Sequence, residues 1–214
     1  MPRTKGIKKK PAGTYHHGNL HEAIVAVASK IVGDEGPLEL TVRRVAIQLG
    51  VTHAAVYHHF EDRTAILASV AEAAFVRMGE AIGARQAVLG ATALERFAAN
   101  GLAYAKFALE NPRLYGVMFG PEAAARHSYP ALAEAADRVF DVLRQSISDC
   151  QKEGSVIEGS VDEHALFCWS SVHGFASLMV ERQVGKLHLA SRDEDTLAEL
   201  IIFRVFTGLA AKPG

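Results

Sequence analysis

Along most of this chain, apolar residues recur at the three- and four-residue intervals of one helix face. Between positions 20 and 31 they are Leu20, Ala23, Ile24, Val27, Ala28 and Ile31, a stripe that a helix buries against a partner. Gly33-Asp34-Glu35-Gly36-Pro37 then predicts its end, because proline cannot continue a helix and glycine loosens one. A short second helix follows, with Thr41 as N-cap and Val42, Val45, Ala46 and Leu49 as its apolar stripe. Gly50 is suited to the left-handed residue that closes it. Thr52 caps a third helix from His53 to about Phe60, in which Val56 and Phe60 are four apart. Helix, glycine-bearing turn, helix is the outline of a helix-turn-helix.

After Glu61-Asp62 the pattern predicts a long helix to the high eighties, with Ile66, Leu67, Val70, Ala73, Ala74 and Ala81 on one side. Further helices are expected over about 93–110, 111–119, 130–153, 162–184 and 193–211. The breaks between them are Asn111-Pro112, Gly120-Pro121, Gly154 to Gly159, and Gly185 to Ser191. No segment alternates as a strand does. The expected fold is all-α, with about nine helices: a basic arm over 1–13, a three-helix helix-turn-helix domain over 14–62, and a helical domain over 63–214.

Charge sharpens this division. Residues 1–60 carry eight Lys or Arg against four acids, a balance of +4, while the remaining 154 carry 15 bases and 20 acids, or −5. A basic first quarter on an acidic body points to a polyanion partner for that quarter. With 49% hydrophobic and 22% charged residues, the chain has material for a core and is not a disordered composition. Cys150 and Cys168 are too few and too far apart for a disulfide framework and read as reduced thiols. No apolar run is long enough to span a bilayer and no signal-peptide core follows the basic start. The expectation is a cytoplasmic protein without membrane contact.

The third helix carries the candidate chemistry. Burying Val51, Ala55, Val56 and Phe60 leaves Thr52, His53, Ala54, Tyr57 and His58 outside. Small residues at its start suit entry into a major groove about 12 Å wide. Thr52 and the helix N-terminus favour phosphate, Tyr57 and His58 can reach backbone oxygens, and His53 a base edge. Arg63, heading the next helix, suits a second phosphate. Periodicity and composition alone fit a solvated helical hairpin with incidental histidines equally well.

The ordered residues from Leu38 to Arg63 go further. Thr41, Arg43, Val45, Ala46, Gly50, Val51, Thr52, Ala55, Tyr57, His59 and Phe60 resemble, at fixed spacing, the signature of TetR/AcrR-family transcriptional regulators. Arg63 stands where that family usually has Lys, and Arg adds a fork geometry. Tyr15-His16-His17-Gly18-Asn19-Leu20 resembles the start of one branch, whose C-terminal domain is named for a Trp-His-Gly motif. Trp169, His173 and Gly174 are similar to that motif in spacing. The resemblance implies DNA contacts from Thr41, Arg43, Thr52, His53, Ala54, Tyr57, His58, His59 and Arg63. It also implies a homodimer on a pseudo-palindromic double-stranded operator, and a repressor, by family default, released by a small-molecule effector.

For the second domain the resemblance implies an effector pocket and a dimer face. Pocket candidates are Tyr104, Phe107, Tyr115, Met118, Phe119, Phe140, Trp169 and His173, although rings at helical spacing also suit plain core. Dimer candidates on the last two helices are Phe175, Leu178, Leu200, Phe203 and Phe206, which serve equally as a monomer's own core. Gly174 and Gly208 would allow close helix approach. His17 and His21 are four apart, but His164 and His173 do not share a face and no cysteine stands at a ligand spacing from a histidine, so no metal site or cofactor is expected. The absence of a nucleophile elbow, a phosphate loop and an HExxH pattern argues against an enzyme.

Overall fold

The computed structural model describes residues 20–89, 92–121, 128–184 and 193–211. The basic arm and Tyr15 to Asn19, His17 included, lie outside the described residues. Nine α-helices occur among those described, with no β-strand beyond a single bridge between Val156 and Ala210. The order is α1 (Leu20–Glu35), α2 (Val42–Leu49), α3 (His53–Tyr57), α4 (Arg63–Leu89), α5 (Ala93–Glu110), α6 (Pro112–Phe119), α7 (Pro130–Lys152), α8 (Val161–Val180) and α9 (Glu194–Leu209). A 3₁₀ turn over Pro37–Glu39 joins α1 to α2.

Local chemistry sets the first boundaries. The Thr41 hydroxyl accepts from the Arg44 N–H at 3.1 Å, and the Thr52 hydroxyl from the Ala55 N–H at 3.2 Å; each satisfies a donor that a helix start leaves orphaned. Gly50 closes α2 at φ 69°, a left-handed conformation that a Cβ disfavours. Ile24, Ala28, Ile31, Leu40, Val45, Val56 and Phe60 are buried together, so α1 to α3 enclose a small aliphatic core with one ring at its edge. The third helix is shorter than expected. It ends at Tyr57, and His58 and His59 form a turn that carries Phe60 inward, where His21 stacks on it at 4.7 Å.

The long α4 joins this unit to the helices behind it and packs against α1, α5, α6 and α7. It is buried on more than one side: Ile66, Leu67, Val70 and Ala74 are covered as expected, with Phe75, Met78 and Ile82 in addition. Ala81 is exposed; the apolar stripe passes through its neighbour Ile82 instead. Thr92 and Glu95 close a capping box on α5. The Glu153 carboxylate, at the end of α7, accepts from the Ala93 N–H at 3.1 Å and so pins α7 to the start of α5. None of the helices among the described residues is long and apolar enough to cross a membrane.

Candidate nucleic-acid interface and internal cavity

The surface of α2 and α3 separates side chains that build the unit from those left free. Arg44 is committed: its guanidinium pairs with Glu35 and, at 3.4 Å, with Glu39. Arg43, one residue earlier, is exposed and has no partner among the described residues. Thr41, Thr52, His53, Ala54, Tyr57 and His58 are all exposed, Tyr57 by 55%. Ile47, Gln48 and Leu38 extend this exposed surface, and the sequence reading did not name them. Ile47, an apolar residue off the α2 stripe, is the signal that could have found it.

Two expected readers also make contacts within the unit. Arg63 donates from Nε to the Leu40 carbonyl at 2.9 Å and from an Nη to the Pro37 carbonyl at 2.5 Å. Its fork therefore ties the start of α4 to the turn before α2, a task set by contacts 23 and 26 residues away in sequence. The His59 ring meets His21 edge-on at 6.3 Å, against the ring pair that locks α1 to the α3–α4 turn. Arg63 is thus half-buried and engaged by the fold, while His59 stays exposed beside His21.

Behind α4, helices α4 to α9 line a cavity of about 270 Å³. Its rings are Phe75, Phe97, Tyr104, Phe119, Phe140 and Trp169. Four of the expected pocket residues thus line it, and Phe75 and Phe97 were missed because they sit within ordinary helix stripes. Phe107 and Met118 are plain core, since a neighbour three residues before or one after already points to the cavity. Tyr115 and His173 stand behind the wall. The His173 Nδ1 lies 2.8 Å from the Tyr104 hydroxyl and 2.7 Å from that of Tyr115, and the two hydroxyls are 3.3 Å apart. Burial lowers the His173 pKa from its ordinary 6.5, which favours the neutral ring beside the two hydroxyls. Burial also raises Tyr115, against the lowering effect of its bonds to Tyr104 and Ser177. At the other end, the Asn100 amide accepts from Gln86 and donates to Ser146, both at 2.6 Å.

Cys168 also lines the cavity and Cys150 lies in the core; burial pushes their thiols up to about 12 and about 11, which makes them unreactive in the fold. Among the described residues no group of three or more His, Cys, Asp or Glu is arranged to hold a metal.

The helix α6 reaches from the cavity to the end of α1. Phe119 lines the cavity, and at the opposite end of the same helix Arg113 donates to the carbonyls of Gly33 at 3.2 Å and Asp34 at 2.5 Å. Those carbonyls are in the last turn of α1, where a cation also complements the helix dipole. On α8 and α9, Leu178 and Phe203 are exposed, whereas Phe175, Leu200 and Phe206 are partly buried. Leu166 and Phe167 add to this apolar surface without having been expected. A Cβ on Gly208 would lie 3.2 Å from the Phe167 ring, so Gly208 does permit close approach, while the space beside Gly174 is open.

Residues 24–70 match the family of bacterial regulatory proteins named for TetR, and residues 97–205 match a tetracyclin repressor-like C-terminal domain. The tetracycline repressor protein class C of Escherichia coli is 42% identical over 52 residues, 24% of this chain and 24% of that protein, so the chain spans about a quarter of this relative's length in the match. A protein of unknown function from Rhodococcus sp. RHA1 shares the fold with a TM-score of 0.77 and 29% identity, covering 93% of this chain and all of that one. The transcriptional regulator FadR from Bacillus subtilis, solved in complex with stearoyl-CoA, has a TM-score of 0.68 at 17% identity, covering 88% of this chain and 99% of that one. With more than half of its length matched to the repressor-like C-terminal model and its first helices matched to the N-terminal one, the chain belongs to the TetR family of bacterial regulators.

Proposed function

We propose that this protein is a sequence-specific DNA-binding transcriptional regulator, a repressor released from its operator by a small molecule held in the cavity. Residues 14–62 act as the DNA-binding domain and 63–214 as the effector-binding and dimerisation domain. The observation that carries this reading is the free surface on α2 and α3. The side chains of Arg43, His53, Tyr57 and His58 are exposed and take no part in the hydrogen bonds that hold the unit together among the described residues. A helix pair that leaves Arg43, two imidazole rings and the Tyr57 phenol unused has them available for phosphates and base edges.

In this reading Arg43, Tyr57 and His58 contact the backbone, His53 and Ala54 face base edges, and Thr41 and Thr52 combine capping with phosphate contact. Two copies bind successive major grooves of a pseudo-palindromic site. The exposed Phe167, Leu178 and Phe203 on the last two helices support a dimer through that face, since a symmetric bundle would cover them. Ligand in the cavity shifts Phe119, and α6 transmits the change through Arg113 to the end of α1. The effector releases DNA only to the extent that it binds the two arrangements unequally.

Fluorescence anisotropy on the DNA flanking the protein's own gene tests this. Affinity should fall steeply with salt. Tyr57→Ala and Arg43→Ala should each cost about 1–3 kcal/mol on all sequences alike, and His53→Ala should relax sequence preference. Unchanged affinity in both the Tyr57 and Arg43 variants would overturn the docking. Arg113→Ala should leave DNA and ligand affinity in place while ligand no longer affects DNA binding.

A further inference from the structure

The chemistry of the cavity narrows what it takes. Its wall carries six rings, and among the described residues none of its lining is Lys, Arg or His. Asp137 is the one charged side chain in that lining; it is exposed at the rim and pairs with no cation among the described residues. The other polar groups are already engaged. Asn100 is held by Gln86 and Ser146, and the Tyr104 hydroxyl lies against His173 and Tyr115. The Trp169 indole N–H, by contrast, has no acceptor among the described residues.

We propose that the cavity binds a small organic cation bearing one or two rings, with the rings inside and the ammonium at the mouth beside Asp137. This rests on the reading of the cavity as an effector site and names the class of effector. Ring burial supplies the apolar contact, and Phe140, one helical turn from Asp137, and Trp169, 6.0 Å from Phe140, offer ring faces that attract positive charge. At the rim the ammonium keeps part of its water, so the cost of burying a charge is largely avoided. An anion of the same shape meets the reverse: negative ring faces, a like charge at Asp137, and no cation among the described lining residues. The volume lies near the lower end of small-molecule pockets, which are roughly 300–1,000 Å³, and this favours a molecule the size of a substituted naphthalene.

Trp169 is the only tryptophan in the chain, so its fluorescence reports binding without DNA. Three matched probes would be titrated: 1-naphthylmethylamine, 1-naphthylmethanol and 1-naphthoate, with a thermal-shift measurement alongside to separate true binding from inner-filter quenching. The amine should bind tightest, the alcohol next, and the carboxylate at least about tenfold more weakly than the amine. Asp137→Asn should bring the amine to the level of the alcohol and leave the alcohol unchanged. Ala136→Phe, which projects a ring into the cavity, should abolish binding of both while the protein still melts cooperatively.

Naphthoate binding as tightly as the amine would overturn the proposal. So would an unaffected amine in Asp137→Asn, retained binding in Ala136→Phe, or no binding of any probe. An amine that binds but leaves DNA affinity unchanged removes the effector reading and keeps the ligand class. Operator binding with no probe bound does the opposite.

Discussion

In α2 and α3 the buried positions belong to small aliphatic residues, Val45, Ala46 and Val56, and the rings of His53, Tyr57 and His58 stand in solvent. Behind α4 the arrangement is reversed. Tyr104, Tyr115, Phe119, Trp169 and His173 turn inward and meet one another at ring distances between 4.5 and 6.4 Å. The N-terminal unit is held by backbone caps and a tightly filled core, so its outward side chains can change without loss of fold. The C-terminal helices hold a space open, so side chains that face the ligand also support the wall. Binding and stability are therefore separable in the first region and coupled in the second.

The largest expected effect tests whether the small core is as tightly filled as its burial implies. Phe60 is its one large ring and is also stacked on His21. Phe60→Ala should lower stability by about 3–5 kcal/mol in denaturant unfolding. A loss below about 1 kcal/mol would mean the site collapses around the gap, and the contrast between the two regions would weaken.

Two arginines then separate building from binding within one region. Arg63→Ala removes two charged hydrogen bonds to the Pro37 and Leu40 carbonyls, and should cost about 1.5–3 kcal/mol of stability. Arg43→Ala, with no such partner, should stay within about 0.5 kcal/mol of the parent while DNA binding weakens. Equal stability losses for the two would show that the exposed surface is not independent of the fold. The caps come next: Thr41→Ala and Thr52→Ala should each cost about 1 kcal/mol.

These examples also mark what the sequence reveals. Thr41, Gly50 and Thr52 act on groups three or four residues away, so their roles are legible from spacing. Arg63 acts on carbonyls 23 and 26 residues earlier, and only the fold brings them within reach. The same limit explains the pocket. Periodicity separates the inward from the outward face of a helix, but it does not tell which inward residues meet core and which meet a void. Tyr104 and Phe107 lie three apart on one buried face; the first lines the cavity and the second does not. The Trp169-to-His173 spacing predicts a shared face, and their rings are 5.3 Å apart. Nothing local to either predicts the two tyrosines that meet His173.

The smallest expected effect lies in that cluster and bears on the coupled side of the comparison. His173 is kept neutral by burial, with its pKa below the ordinary 6.5. The unfolded chain therefore takes up its proton at a higher pH than the fold does, and stability is fully present above 6.5 and is lost as pH falls from there through the lower folded value. Between about pH 7.5 and about pH 5.5 the melting temperature should fall more in the parent than in His173→Phe, which cannot titrate there. Protonation makes both ring nitrogens donors, so neither the Tyr104 nor the Tyr115 hydroxyl can then donate to Nδ1. Because Tyr104 lines the cavity, ligand affinity should change over the same pH range in the parent and not in the variant. Parallel melting slopes in the two proteins would show that the ring cluster is an inert wall, and that binding is as separable from stability behind α4 as it is in front.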